Sequence, residues 1–181
     1  MMRYKAALST IHANRNLPLL DRFDLKILAI LQQKGDIGPV EMSQAVHLSA
    51  SQCSRRMQQL RKAGYIRGVH AALDAGRLGV GISAYILLTM NSHGIAAAEA
   101  FRARVLELDE VLECQKLTGE ADMILKVATR DLASFNHLLT RQILGSPEVA
   151  TARSSIILED VKSTTALPLG FAGAVNPADG T

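Results

Sequence analysis

Residues 46–66 carry the side-chain types that proteins most often use to contact nucleic acid. This stretch, VHLSASQCSRRMQQLRKAGYI, contains four basic residues and three glutamines, but no aspartate or glutamate. Arginine can pair with guanine through two hydrogen bonds and glutamine can pair with adenine, while serine and lysine can hold phosphate oxygens. An acidic side chain would repel phosphate, so the composition predicts a surface that docks on DNA.

Helical spacing divides these residues between two faces. Cys53, Met57 and Leu60 share one face, which we expect to pack on neighbouring helices. A basic face that is merely solvated is the alternative, but it does not account for the supporting helices described next. The residues predicted to contact DNA are Ser49, Ser51, Gln52, Arg55, Arg56, Gln58, Gln59, Arg61 and Lys62.

The segments around this stretch predict a bundle of three helices. Apolar residues recur at helical spacing between Asp21, which can cap a first helix, and Gly35, which can end it. A shorter second helix has Pro39 in its first turn, and the third runs from Ser49 to Gly64. Only the residues VHLS separate the second helix from the third, which is the spacing of a helix-turn-helix.

Beyond a glycine-containing linker, the pattern changes to four apolar strands and two helices. The order β-α-β-β-α-β is ferredoxin-like, with both helices on one face of a four-stranded antiparallel sheet, so the fold class is α+β. Two strands are apolar at nearly every position, which predicts an obligate dimer through this domain and an even-numbered larger assembly. The strands are predicted at ISAYILLTM, VLECQKLT, MILKVAT and VATARSSIILEDV, and the helices at AAAEAFRARVLELD and LASFNHLLTRQIL.

The predicted elements divide the chain into five segments. They are an N-terminal arm (1–19), a helix-turn-helix domain (20–66), a linker strand and hinge (67–80), a ferredoxin-like domain (81–162) and a C-terminal tail (163–181). The segments up to residue 80 contain twelve bases and five acids, whereas the ferredoxin-like domain contains eight bases and eleven acids. This separation of charge predicts different partners for the two domains, with nucleic acid as the partner of the first.

The composition is typical of a protein of the reducing cytosol. Cys53 and Cys114 are too isolated for a disulfide framework or a zinc site, and we expect both to be small buried residues. No window reaches the roughly 18 apolar residues of a membrane span, and the N-terminus lacks a secretory signal. The expected location is the cytoplasm, without a membrane partner.

The residues offer no grouping for catalysis or for a metal. The five histidines are scattered, no glycine-rich phosphate loop is present, and no nucleophile has a plausible base, so we predict no enzyme, metal or cofactor. Capping explains Asp21 and Asp24 better than a catalytic pair does. Two other functions stay open: an enzyme built on the ferredoxin-like half, and a ligand-binding or assembly module with vestigial DNA affinity.

Four stretches in this order resemble the Lrp/AsnC family, the leucine-responsive and asparagine-responsive transcription regulators. They are LDRFDLKILAILQQKGDI, SASQCSRRMQQLRKAGYIRG, LTGEADMILKV and ARSSIILEDVKSTTALPL, within residues 20–168. The resemblance implies an N-terminal winged helix-turn-helix, followed by a ferredoxin-like sensing domain that binds an effector and oligomerises. It also implies regulation of amino-acid metabolism or transport, dimers that assemble into tetramers or octamers, and amino-acid effectors bound between dimers.

The sequence departs from the family pattern at a few positions. His47 stands where the turn before the third helix usually has glycine, and histidine is among the residues that tolerate positive φ. Ala50 and Gln52 replace prolines that often open the recognition helix. Met123 replaces a common aromatic residue, which bears on the identity of the effector.

The turn LTGEADM is the predicted effector site. Its glycine can offer backbone amides, its two carboxylates can hold an ammonium group, and nearby hydroxyls and apolar side chains can complete a pocket for an aliphatic or thioether amino acid. A plain polar hairpin turn is the alternative, and the family resemblance favours the effector site. The residues in this prediction are Thr118, Gly119, Glu120, Asp122, Met123, Leu88 and Ser154.

Overall fold

The computed structural model describes residues 19–92 and 94–173. Within these residues the chain forms two compact units, one made of residues 19–71 with 164–173 and the other of residues 72–163. The predicted arm, except for its last residue, and the end of the predicted tail lie outside the described residues.

Three helices make up most of the first unit. The first helix begins at a capping box formed by two aspartates. The Asp21 side chain accepts from the amide of Asp24, and the Asp24 side chain accepts from the amide of Asp21. Gly64 ends the third in the left-handed conformation, with φ of 82°. The helices are α1 (Arg22–Gln33), α2 (Pro39–Val46) and α3 (Ala50–Lys62).

The core of this unit lies where the three helices meet. Ile27 of α1 and Met42 of α2 are fully buried there. The apolar face predicted for α3 is confirmed, because Cys53, Met57 and Leu60 are all buried in the same cluster. This packing leaves the opposite face of α3 in solvent.

The predicted linker strand is wrong. Residues 67–80 contain no strand, and residues 75–79 form a turn. An extended segment becomes a strand only by pairing with another, and within the described chain all the paired strands lie between residues 82 and 156. A short 3₁₀ helix at Leu169–Gly173 belongs to the first unit.

The second unit is the predicted β-α-β-β-α-β fold. Its four strands form one sheet in the order β2-β3-β1-β4, with antiparallel neighbours throughout, which confirms the ferredoxin-like arrangement. The elements are β1 (Ile82–Met90), α4 (Ile95–Val105), β2 (Val111–Lys116), β3 (Met123–Thr129), α5 (Leu132–His137) and β4 (Val149–Ile156).

One face of the sheet is covered by the helices and the other is open. Alternate residues of β1 and β3, such as Ile86 and Leu125, are fully buried in the same cluster as Phe101 of α4 and Phe135 of α5. On the open face, Tyr85 and Leu87 are 40% and 37% exposed. The sheet therefore keeps a partly apolar surface that this unit does not cover.

The second helix of this unit changes its hydrogen-bond pattern. The sequence predicts one helix over 132–144, but α5 gives way to a π-helical turn at Leu138–Ile143. In a π turn the bonds run from residue i to i+5, and Leu138 and Ile143 are five residues apart and both buried. The wider turn lets both side chains reach the core.

Two smaller findings complete the description. Cys53 is buried as predicted, but Cys114 is exposed because it lies on β2, an edge strand. Within the described residues, no helix combines the length and apolar character needed to cross a bilayer.

Candidate nucleic-acid interface and ligand loop

The turn before α3 depends on His47. This residue ends α2 in the left-handed conformation, with φ of 59° and ψ of 47°, and its amide donates to the carbonyl of Ser43. Histidine thus takes the positive φ that the turn requires, as the sequence predicted. This turn places Ser49 at the start of α3, three residues after α2 ends at Val46.

Ser49 and Gln52 together cap α3. The Ser49 hydroxyl accepts from the Gln52 amide at 3.2 Å, and the Gln52 side-chain oxygen accepts from the Ser49 amide at 3.0 Å. Both residues were predicted to contact DNA. In the structure they satisfy the first free amides of the helix, which sets the direction in which α3 presents its outer face.

The outer face of α3 is polar, basic and exposed. No described residue forms an ion pair with Arg55, Arg61 or Lys62 within the chain. Their charges are therefore available to an external anion. The predicted DNA-contacting residues that are exposed are Ser49, Ser51, Gln52, Arg55, Gln58, Gln59, Arg61 and Lys62.

Arg56 differs from its neighbours because it binds α1. Its guanidinium lies 2.8 Å from a carboxylate oxygen of Asp21 and 2.8 Å from one of Asp24, and 5.5 Å from the centre of the Phe23 ring. The hydrogen bond to Asp24, reinforced by both negative charges, raises the pKa of Arg56. Both ends of its guanidinium are thus bound to protein carboxylates, with which a DNA phosphate would have to compete.

Asp21 shows the other side of this contact. Partial burial alone would raise its pKa, but hydrogen bonds from the amides of Asp24 and Phe23 and from Arg56 together hold the pKa below its ordinary value. Asp21 therefore caps α1 and ties α1 to α3 with the same carboxylate. The sequence predicted only a capping role for Asp21 and Asp24. Their ion pairs with Arg56 are a second role that sequence reasoning missed.

The loop 117–122 joins β2 to β3. Gly119 has φ of 128°, a conformation that side chains disfavour, and a Cβ there would meet nothing within 4 Å, so backbone geometry alone requires glycine. Thr118, Gly119 and Glu120 are exposed. Glu120 lies 4.0 Å from Arg153 of β4, and both side chains are largely in solvent.

Asp122 has a structural role in this loop. Its carboxylate accepts from the amide of Met90 at 2.7 Å, and its own amide donates to the carbonyl of Leu88 at 2.8 Å. Its carbonyl accepts from the amide of Leu117, also at 2.8 Å. Asp122 therefore fixes the loop against the end of β1.

A small cavity lies behind the loop. Its volume is about 60 Å³, and its lining includes one basic and one acidic side chain. Lys116 was missed by sequence reasoning, although its position beside Met123 in the β2–β3 ladder could have identified it. The lining residues are Met90, Ser92, Ala98, Lys116, Asp122 and Met123.

Two predicted effector residues lie elsewhere. Leu88 is fully buried in the core beneath the helices. The sequence did not indicate this, because a strand that is apolar at nearly every position gives no signal for which side chains face inward. Ser154 is exposed on the edge strand β4, where it pairs with Ile86 and does not line the cavity. The structure thus brings Asp122 and Met123 together with Lys116 at the cavity. The other five predicted residues do not line it: Leu88, Thr118, Gly119, Glu120 and Ser154.

Comparison with known proteins gives matches to both units. Residues 20–67 match a winged helix-turn-helix DNA-binding family, and residues 83–167 match the Lrp/AsnC ligand-binding domain. The leucine-responsive regulatory protein of Salmonella typhimurium is 34% identical over 148 residues, which cover 82% of this chain and 90% of that protein.

Solved structures agree with these matches. A transcriptional regulator of Neisseria meningitidis, crystallised as a complex with L-Met, is 39% identical with a TM-score of 0.81, covering 83% of this chain and 97% of that one. An AsnC-family transcriptional regulator of Agrobacterium tumefaciens is 32% identical with a TM-score of 0.79, covering 84% and 99%.

Proposed function

This chain belongs to the Lrp/AsnC family of DNA-binding transcription regulators, and we propose that it controls genes of amino-acid metabolism or transport in response to an amino acid. The observation that carries the DNA-binding part is the exposed, acid-free face of α3. The effector part rests on the ligand-binding domain that residues 83–167 match. A regulator of this kind acts in the cytoplasm, where bacterial DNA lies.

The DNA-binding proposal follows from the surroundings of each base on α3. Arg55 is exposed in the first half of the helix, and the N-terminal part of a recognition helix is the part that contacts base edges. Arg61 and Lys62 lie in the last turn, so we assign them to backbone phosphates. Two copies related by a twofold axis would place two such helices on a pseudo-palindromic site, with half-sites about one helical turn or a multiple apart.

The test measures binding to the DNA upstream of the gene itself. Arg55→Ala should weaken specific binding by roughly 1–3 kcal/mol and relax sequence preference. Lys62→Ala should instead weaken binding to every DNA and lower the salt slope by about 1. Arg141→Ala, which removes an exposed arginine from the second unit, is the matched control.

The outcomes separate this proposal from its alternative. Unchanged operator affinity in both α3 variants at moderate salt would remove α3 as the recognition helix. Equal, weak binding of the wild type to operator and unrelated DNA would leave a ligand-binding or assembly module with vestigial DNA affinity.

The effector proposal places the amino acid at the loop 117–122. Lys116 can pair with a carboxylate and Asp122 with an ammonium group, and Met90 and Met123 supply apolar surface to the same cavity. The volume of about 60 Å³ is far below the roughly 300–1,000 Å³ of ordinary ligand sites. We therefore propose that a second subunit completes the pocket, in a dimer or a tetramer or octamer built from dimers.

Two relatives support an apolar side chain on the effector. One is named leucine-responsive, and the other was crystallised with L-Met. Methionine suits the cavity wall here because thioether and aliphatic groups pack well against methionine side chains. L-Methionine and L-leucine are therefore the first effectors to test.

Asp122→Asn is the informative variant for the effector site. It removes the negative charge but keeps an oxygen that can accept from the Met90 amide, whereas alanine would also free the end of β1. We expect Asp122→Asn and Lys116→Gln each to weaken L-methionine binding by about tenfold or more, the scale of one lost charged hydrogen bond. Calorimetry measures this, and DNA binding without effector should stay unchanged.

Wild-type affinity for L-methionine in both variants would move the pocket away from this loop. No response of DNA binding to any amino acid in the wild type would remove the sensing part of the proposal.

A further inference from the structure

The C-terminal segment of this protein returns to the DNA-binding unit. Residues 72–163 form the second unit, but residues 164–173 are part of the first, together with α1, α2 and α3. The ligand-binding domain is therefore inserted between two pieces of the DNA-binding unit. The chain joins the two units twice, once at residue 71 and once at residue 163.

The returning segment is held by specific contacts on α1. The side-chain amide of Gln32 donates to the carbonyl of Leu167 at 3.1 Å, and its oxygen accepts from the amide of Leu167 at 2.5 Å. One side chain thus satisfies both backbone groups of Leu167. Leu169, two residues later, packs on the buried core of the three helices.

This contact extends beyond the part of the chain that matches the ligand-binding family. The match to the ligand-binding family ends at residue 167, so the 3₁₀ helix at Leu169–Gly173 lies beyond it. Leu167 and Phe171 are 70% and 72% exposed, so the contact depends on Gln32 and Leu169. Such a contact is local enough to open without unfolding the helices.

The segment is also tied closely to the effector domain. Strand β4 ends at Ile156, and only residues 157–163 separate it from the returning segment. Seven residues span at most about 25 Å when fully extended. A rearrangement at β4 therefore reaches the contact on α1 through a short covalent link.

From α1 the path continues to the recognition helix. Asp21 and Asp24, at the start of α1, bind Arg56 of α3 at 2.8 Å each. A shift of α1 within the bundle moves the carboxylates that hold α3. The helix is therefore coupled at one end to the C-terminal segment and at the other to the DNA-contacting face.

We propose that residues 164–173 act as a strap that couples the effector domain to α3 by engaging or releasing α1. The proposal rests on the proposed function, because it assigns the route by which effector binding changes DNA affinity. A strap that is engaged differently in the effector-bound and effector-free states would convert a change at β4 into a change in the bundle.

The test compares full-length variants with two truncations. Leu169→Ala removes the apolar anchor, Gln32→Ala removes the two hydrogen bonds, and a chain ending at Ser163 removes the strap. A chain ending at Gly173 keeps all the described contacts and is the matched control. Each protein is measured at a temperature where circular dichroism shows it folded.

The decisive readout is the ratio of DNA affinities with and without L-methionine. Allosteric coupling commonly sets such a ratio at about 5- to 150-fold. We expect the ratio to fall to about 1 without the strap, while the Gly173 truncation keeps the wild-type ratio and every variant still binds L-methionine by calorimetry. A merely stabilising segment would leave the ratio intact.

Hydrogen exchange shows whether the strap is engaged. Amides in the last turn of α1 should exchange faster in Leu169→Ala than in the wild type. A wild-type affinity ratio in variants whose α1 is deprotected would overturn the proposal, as would identical exchange in all variants.

A wild type whose DNA affinity ignores L-methionine and L-leucine would instead count against the proposed effector. The strap is then judged by effector-free DNA affinity, compared between the truncations at Ser163 and Gly173. Different affinities support a strap that acts on α3, and equal affinities overturn it.

Discussion

Arg55 and Arg56 are consecutive in the sequence, but the structure gives them opposite surroundings. Arg55 is exposed without a carboxylate partner among the described residues, whereas the side chain of Arg56 is 24% exposed and bridges Asp21 and Asp24. A charge that is already paired contributes to holding the domain together, and an unpaired one is free to bind phosphate or a base. Position on the helix, rather than residue type, separates the two roles.

Arg56→Ala should therefore destabilise the DNA-binding unit. Removing the guanidinium leaves two partly screened carboxylates close together, and we expect a loss of about 1–2 kcal/mol in the free energy of unfolding, as for charged hydrogen bonds. Arg55→Ala is the control and should stay within about 0.5 kcal/mol of the wild type. Urea unfolding at pH 7 measures both, and equal stabilities would show that the bridge contributes nothing.

The lowered pKa of Asp21 predicts loss of stability in acid. A carboxylate whose pKa is lower folded than unfolded stabilises the fold above its ordinary pKa of about 3.9, and this contribution disappears as pH falls through the folded value. The wild type should therefore lose stability progressively below about pH 4. Urea midpoints between pH 7 and pH 2.5 follow the change.

Asp21→Asn is the matching variant, because asparagine still caps a helix but does not titrate. It should be less stable than the wild type at pH 7 and lose less on acidification. Asp36→Asn removes an exposed carboxylate outside this contact and should follow the wild type. Parallel pH curves for the Asp21 variant and the wild type would contradict the linkage.

At the scale of elements, the turn between α2 and α3 stores backbone strain at His47. The left-handed conformation costs an ordinary residue roughly 1–2 kcal/mol, and glycine avoids that cost while losing about 0.5–1 kcal/mol in chain entropy. The side chain of His47 is exposed, so its removal sacrifices little packing.

His47→Gly should accordingly raise the melting temperature of the DNA-binding unit, and His47→Val should lower it. Valine is branched at Cβ and is a clear outlier at positive φ. Differential scanning calorimetry of the two variants beside the wild type gives the comparison. A lower melting temperature for the glycine variant would mean that the imidazole makes a contact worth more than the strain.

Periodicity was enough to predict most elements, because burial repeats along them. Cys53, Met57 and Leu60 recur at helical spacing and are all buried. Features that depend on contacts distant in the chain were not predictable in this way. Arg56 meets carboxylates 32 and 35 residues earlier, and the segment after α3 needed a pairing strand that the described chain lacks.

The effector loop illustrates a different limit. In β1 every position from Tyr85 to Leu88 is apolar, so the sequence has no alternation from which to assign each side chain to a face of the sheet. Leu88 was therefore predicted to line the effector pocket, whereas it lies in the core. Asp122 was recognisable as a candidate, but its bond to the Met90 amide depends on the register of β1 and β3.

At the scale of the whole molecule, the open face of the sheet is the surface most suited to a second copy. Tyr85 and Leu87 are partly exposed there, and Ile124 and Ala128 of β3 lie on the same side at intermediate burial. Exposed apolar area on an otherwise folded sheet commonly marks an interface. A twofold pairing of these faces would bury the same residues on both subunits.

Leu87→Glu should therefore shift a dimer towards monomers. A second copy on this face would bury the new glutamate, and removing its charge from water opposes the pairing. Leu132→Glu makes the same chemical change at a side chain that is 61% exposed at the start of α5, so it should leave the dimer intact. Light scattering at micromolar concentration gives the masses. A wild type that is already monomeric, or a Leu87→Glu variant that is as dimeric as the control, would place the interface elsewhere or remove it.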